Sequence, residues 1–250
     1  MKAIITDLDR TLLHTDKSVS PYTVETLRQC RMQGLRIMAA SARPVRDILP
    51  FHHLIGFDAI AATTGAVVRL PQQELHFELS HNTAEQIITA LLAFPDVFLS
   101  IETSTGLYAN RDIPEWQPVI YSGFPRLPAD TAVYKILASS PCRRLYDEVA
   151  DILPADAYHT LAGHDLLQIM STQATKWHAV QHMLSHFGIS PNEAVFFGDD
   201  NDDIESLRMC GIGAAVSNAI PAALAAADYV VPSNDADGAA SFLQQHILSL

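Results

Sequence analysis

At 250 residues the chain suits either one large domain or a core carrying an inserted smaller one, and its 48% apolar content is ample for a buried interior. Acidic residues outnumber basic ones 28 to 16, the net charge is -12, and no run of Lys and Arg forms a basic patch, so a nucleic acid partner is not expected. The Ala-rich tract "AIPAALAAAD" is too short and interrupted to span a bilayer, which argues against a membrane partner. Cys30, Cys142 and Cys210 match neither a metal spacing nor a disulfide framework, so reduced, mostly buried thiols and a cytoplasmic location are expected. The N-terminus lacks a basic segment followed by a long apolar run, which argues against a signal peptide.

Along the chain, the short strand "AII" at Ala3–Ile5 runs directly into Asp7 and Asp9, with Arg10 and Thr11 just behind. Carboxylates at the end of a buried strand are costly unless something offsets their charge. "SPYTVETLRQCRMQG" then reads as a helix, with Ser20 as N-cap, Pro21 at its first position and Gly34 as its stop. A second strand, "RIMAA", ends at Ser41 and Arg43.

The regularity changes between about Pro71 and Gln168. Alternating segments ("VFLSIET", "GLYAN") lead into a Pro-rich loop, "IPEWQPVIYSGFPRLPAD", and then into "VYKILASS" and "LLQIM" around a helix near Arg143–Leu153. This reads as an α+β unit, expected at 82–168, inserted into a core made of 1–81 and 169–250. Glycine-containing connections near Gly65 and Gly163 are candidate hinge elements. The strand–helix alternation resumes with the helix "TKWHAVQHMLSHFG" and the runs "AVFF" and "YVV", which with "AII" and "RIMAA" read as buried parallel strands. The expected fold class is therefore α/β, a Rossmann-like parallel sheet with an inserted α+β cap.

Ligands of an open parallel sheet collect beyond the carboxyl ends of its strands. The residues there are Asp7, Asp9 and Thr11, then Ser41 and Arg43, then Lys176 at a helix start, then Asp199, Asp200, Asp202 and Asp203 in "GDDNDD". A carboxylate cluster calls for a hard cation, for which Mg2+ is the natural choice. A carboxylate beside bound Mg2+ can attack phosphorus, and a second one two residues on can protonate the leaving oxygen and activate water. Ser41 and Lys176 are suited to hold the phosphoryl oxygens. The cation and the lysine are also what offsets the strand-end acids.

"DLDRTLL", "AASARP", Lys176 and "FFGDDNDDIESL" together resemble the four motifs of the haloacid dehalogenase (HAD) superfamily. The tail "GIGAAVSNAIPAALAAADYVVPSNDADGAASFL" resembles the Cof-type phosphatase subfamily with a large α/β cap. The resemblance implies Asp7 as nucleophile and Asp9 as general acid/base. It implies Ser41, Ala42 and Lys176 as phosphate-binding residues, and Asp7, Asp9 (through its carbonyl), Asp199 and Asp203 around Mg2+. Arg10, Ala42, Thr64 and Asp202 depart from the subfamily's usual residues, and Arg10, Arg43 and Asp202 are candidates for setting substrate choice.

The implied activity is Mg2+-dependent hydrolysis of a small phosphorylated metabolite, a sugar phosphate or a phosphorylated cofactor such as pyridoxal phosphate, by a monomer or small homo-oligomer. A sugar phosphomutase of the same superfamily and a non-catalytic phosphate-ligand-binding regulator are the alternatives. His178, His182 and His186 recur at helical spacing that suits a metal, but no Glu completes a zinc-protease pattern, which favours a solvated face. Trp116 and Tyr121 suit either substrate contact or the packing of the inserted unit.

Overall fold

The computed structural model describes residues 1–128, 130–162 and 165–248. Gly163, one of the two glycines expected near a hinge, lies outside them. The chain divides into two compact units, Met1–Leu75 with Thr175–Leu250, and His76–Ala174.

In the first unit, β1 (Ala3–Thr6) ends in an irregular turn at Leu8–Leu12, in which Arg10 takes a φ of 60°. Next come α1 (Pro21–Met32), β2 (Arg36–Ala40), α2 (Val45–Ile55), β3 (Ala59–Ala62), β4 (Val67–Leu70) and β5 (Gln73–His76). The start of α1 follows from its sequence: the Ser20 hydroxyl accepts a hydrogen bond from the Thr23 N–H at 3.0 Å, and Pro21 needs no partner at the first position.

The second unit holds α3 (His81–Leu91), β6 (Phe98–Thr103), β7 (Gly106–Ala109), β8 (Val119–Ile120), β9 (Val133–Ser139), α4 (Arg144–Ile152), β10 (Ala157–Ala162) and β11 (Leu166–Ser171). The return to the first unit adds α5 (Lys176–His186), β12 (Ala194–Gly198), α6 (Ile204–Met209), β13 (Ile212–Val216), α7 (Pro221–Ala226), β14 (Tyr229–Val231) and α8 (Gly238–His246).

The sheet of the first unit runs β14-β13-β12-β1-β2-β3-β4-β5. Its strands from β14 to β3 are parallel, and β4 is antiparallel to β3. Ile4, Ile5, Ile37, Met38, Phe196 and Phe197 are fully buried, as expected for parallel strands covered on both faces. Because β1 lies between β12 and β2, the loops leaving those three strands meet at one edge. "YVV" differs from its expectation: β14 is the sheet edge, with Tyr229 46% and Val230 60% exposed and only Val231 buried. β3 and β13, rich in Ala and Gly, carry too little β-branched or aromatic signal to stand out. Gly213 in β13 nonetheless has a packing reason, since a Cβ there would stand 2.0 Å from the Leu207 carbonyl oxygen of α6.

The sheet of the second unit runs β10-β11-β9-β6-β7-β8 and is antiparallel except for β7 with β8. β8 falls inside the stretch expected as a Pro-rich loop. Leu99, Ile101, Ile136, Ala138, Leu167 and Ile169 pack in one apolar core with Ala84, Ile87, Ile88 and Leu91 of α3 and Leu145 and Val149 of α4. The unit is wider at both ends than 82–168, because its flanks are tied into it: the Leu79 N–H donates to Val133 O, and the Thr172 N–H to Asp156 O.

Candidate active site

Asp7 follows β1, Asp199 follows β12, and both are buried, as are Asp203 and Lys176. Lys176 opens α5, whose N-cap is the Thr175 hydroxyl accepting from the His178 N–H at 3.1 Å. An ammonium in a first helical turn opposes the helix dipole. Here it is compensated by two carboxylates, since Lys176 Nζ donates to Asp7 Oδ1 and to Asp203 Oδ1, each at 2.7 Å.

The other oxygen of Asp203, Oδ2, accepts from the Asp199 and Asp200 N–H groups at 2.9 and 3.1 Å and so shapes the loop that carries Asp199. Gly198 permits this closeness, because a Cβ there would lie 2.6 Å from the Asp203 side chain. Gly65 acts likewise at the start of α5: its φ is 97°, and a Cβ would stand 2.3 Å from the Thr175 carbonyl oxygen.

Asp7, Asp199 and Asp203 each present an oxygen within 4.8 Å of the others. Three buried carboxylates against one ammonium leave a formal surplus of two negative charges. Burial pushes Asp7 well above the usual carboxylate range; Lys176 opposes the rise, and Asp203 and Asp199 reinforce it. Burial and Asp203 raise Asp199 to about 6, against the Thr11 hydrogen bond and the charge of Lys176. Lys176 itself stays protonated, since Asp203, Asp7 and Asp202 outweigh its burial. An all-oxygen donor set lacking two positive charges fits a divalent metal ion.

A pH dependence follows. Asp199 has a folded-state pKa of about 6 against an ordinary 3.8, so its contribution to stability is complete below about pH 4 and is lost as pH rises through about 6. Without metal, Tm is expected to fall across that window, and added Mg2+ to restore it above pH 6. Differential scanning fluorimetry with EDTA or Mg2+ checks this, and a Tm unmoved by Mg2+ at pH 7 would count against the metal site.

Asp9 is placed differently. Its carboxylate accepts from Arg43 Nε at 2.5 Å and Nη2 at 2.7 Å, and from Lys17 Nζ at 2.7 Å. Burial acts to raise its pKa, but the Arg43 and Lys17 hydrogen bonds and charges prevail and lower it to about 2. Arg43, expected as a specificity candidate, is thus engaged with Asp9 and also lies over the Phe51 ring at 5.3 Å. Ser41 is buried beside this group, its Oγ accepting from the Arg43 N–H at 3.2 Å, while Ala42 is exposed.

Arg10 points neither freely to solvent nor away from the acids. Its Nη2 donates to Asn218 O at 3.1 Å, the Asn218 amide donates back to Arg10 O at 2.8 Å, and its Nε lies 3.9 Å from Asp199. Asp202 is half-buried and adds negative charge near Lys176.

Two contributors carry no signal in the sequence. Lys17 sits in a loop with no motif around it, and Asn218 comes from the distant turn after β13. Thr11, expected at the strand end, holds the Asp199 carboxylate in place, since its hydroxyl donates to Asp199 Oδ1 at 2.8 Å. Away from the site, His178 and His182 are partnered with each other, Nε2 to Nε2 at 3.2 Å. Tyr121 packs among Tyr108 and Phe124, and Trp116 lies near Phe98. The cysteines are free thiols, two of them buried. Among the described residues no helix is long and apolar enough to cross a membrane.

A sequence profile of the haloacid dehalogenase-like hydrolases matches residues 4–243. The chain belongs to that family, in its Cof-type branch, and is a phosphatase-type enzyme. Among its relatives, a Haemophilus influenzae protein with a provisional phosphatase name is 26% identical over 257 residues, covering 98% of this chain and 97% of that protein. The HMP-PP phosphatase of an Enterobacter species is 27% identical over 237 residues, covering 88% of this chain and 85% of its own. A solved HAD subclass IIB sugar phosphatase superposes with a TM-score of 0.83 at 20% identity, covering 99% of this chain and all of that one.

Proposed function

We propose that the chain is a Mg2+-dependent phosphatase that hydrolyses small phosphomonoesters in two steps through an aspartyl phosphate on Asp7. The observation that carries this reading is the buried Asp7–Lys176–Asp203 arrangement with Asp199 beside it, short of two positive charges at the carboxyl edge of a parallel sheet. Asp7, Asp199 and Asp203 would hold Mg2+, which when bound would supply the positive charge that an acidic pocket needs to accept a phosphoryl dianion. Lys176 orients Asp7 and, with Ser41 and the adjacent Ala42, takes up charge on the phosphoryl oxygens.

An Asp7 oxygen attacks phosphorus while the bond to the leaving oxygen breaks, and that oxygen takes a proton from Asp9. Asp9 then removes a proton from water, which attacks phosphorus, releases inorganic phosphate and restores Asp7. Held by Arg43 and Lys17, with a pKa of about 2, Asp9 is the conjugate base. Its acid role therefore requires that it leave those partners, which hold it ionised, and take up a proton from solvent before it can pass one to the substrate's leaving oxygen.

The inserted unit is assigned to substrate recognition. A cytoplasmic location agrees with the free thiols of Cys30 and Cys210, which burial raises to about 11 and about 12. The names of the relatives support small phosphorylated metabolites as the substrate class. The test is phosphate release from a phosphomonoester panel with Mg2+ or EDTA, combined with rapid quench and mass spectrometry of the peptide containing Asp7. Mg2+-dependent release with transient phosphorylation of Asp7 is expected; release unaffected by EDTA, or a phosphoryl group on another residue, would overturn the reading.

A further inference from the structure

The three histidines of α5 recur every four residues, yet the structure separates them. His178 and His182 are half-buried, whereas His186 is exposed and sets its ring edge-on against Phe187, with centroids 4.9 Å apart. Residues four apart on a helix lie one above the other, so the first two imidazoles share one face. Their rings stand 75° apart with centroids at 4.6 Å, and this brings Nε2 to 3.2 Å from Nε2.

That separation has a specific chemical meaning. A tetrahedral Zn2+ binds imidazole nitrogen at about 2.0–2.1 Å, which places two such nitrogens about 3.3 Å apart. The two Nε2 atoms therefore already stand at the spacing of a chelate. Without an ion, that spacing is kept by one Nε2–H donating to the other Nε2. When both nitrogens turn their lone pairs to a metal, the shared proton moves through solvent to Nδ1 of its own ring, and no charge is lost from either imidazole. Partial burial and the neighbouring His178 push His182 below the usual histidine value, which favours the neutral form that a metal requires.

We infer that His178 and His182 form a two-imidazole site for a borderline divalent ion such as Zn2+ or Ni2+, separate from the all-oxygen group of Asp7, Asp199 and Asp203. The donor types divide the two sites: imidazole suits Zn2+ and Ni2+, while carboxylates suit Mg2+. Among the described residues, that carboxylate group is the only set of three or more His, Cys, Asp and Glu side chains close enough to share one ion. The histidine site thus supplies two protein ligands and leaves the remaining positions to water, so its ion exchanges with solution. It stands whether or not the phosphatase reading does. Occupancy would clamp the first turn of α5, where Lys176 and His178 lie, to the second.

The probe is Ni2+, titrated calorimetrically into the full chain with excess Mg2+ to compete at the carboxylates. The wild type is expected to bind one Ni2+ at the histidines and to gain Tm, because the paired rings exist only in the folded helix. His178→Gln and His182→Gln should each weaken that binding by about a hundredfold or more, since loss of a mere partner of a ligand already costs about 10–100-fold. His186→Gln should bind as the wild type does. A Ni2+ soak of wild-type crystals reads the site without any variant, and an anomalous peak bonded to both Nε2 atoms is expected.

No Ni2+ binding by the wild type would overturn the inference. So would binding that survives unchanged in both His178→Gln and His182→Gln, or that is lost equally in His186→Gln, the mark of scattered surface histidines. If either variant fails to fold, the soak decides, and an anomalous peak confined to the carboxylates would also overturn the inference. None of these outcomes bears on phosphate release, which tests the other reading.

Discussion

Replacing Asp7 by Asn is expected to reduce phosphate release by about four orders of magnitude or more, the scale seen when a catalytic nucleophile is removed. The chain should nonetheless stay folded. Asn keeps the shape of Asp, and Lys176 retains Asp203 as an acceptor at 2.7 Å. The substitution also takes one negative charge from a buried group of three carboxylates balanced by a single ammonium. Metal-free Tm is therefore expected to hold or rise, and the gain in Tm on adding Mg2+ to shrink. Activity lost together with stability would point instead to a structural role for Asp7. Release at the wild-type rate would move the nucleophile elsewhere and bring the phosphomutase and binding alternatives forward.

Lys176→Met should be the more damaging change to the fold. It removes the buried cation that bridges Asp7 and Asp203, leaving three buried carboxylates uncompensated. Breaking a buried ion pair from one side costs about 3–5 kcal/mol. The sign of the pH effect follows from burial and mutual repulsion, which already raise Asp7 and Asp199 and which go unopposed when Lys176 is gone. Carboxylates with raised pKa values stabilise the folded state at low pH and cease to do so as pH rises through those values. The deficit relative to wild type should thus be larger at pH 8 than at pH 5, and Mg2+ should recover part of it. Phosphate release should fall by at least about a hundredfold, the usual effect of losing one donor to the transition state. Urea denaturation at both pH values checks the first expectation; a deficit independent of pH would mean that Lys176 contributes through packing alone.

What is legible in the sequence differs from element to element for identifiable reasons. α1 and α5 can be read because their caps are local: Ser20 and Thr175 each bond to an N–H three residues on. β1, β2 and β12 can be read as apolar runs ending in acids or hydroxyls. β3 and β13 cannot, since runs of Ala and Gly have weak strand preference and are held by their neighbours. β14 reads as buried because its composition matches a central strand, whereas its place at the end of the sheet leaves Tyr229 and Val230 open. At the site, the carboxylates, Ser41 and Lys176 announce themselves through type and position. Lys17 does not, as one cation in a loop carries no pattern.

The sequence alone determined that acids, a hydroxyl and a lysine would gather at the carboxyl edge of a parallel sheet, because buried apolar strands must place their polar ends there. Tertiary structure decided which atoms meet. Thr11 and Asp199 are separated by 188 positions, and Lys176 and Asp7 by 169, yet both pairs are hydrogen-bonded. The capture of Asp9 by Arg43 and Lys17 likewise depends on loop paths and strand register. Local preference cannot encode these pairings, since each arises only where strands distant in the chain are brought side by side.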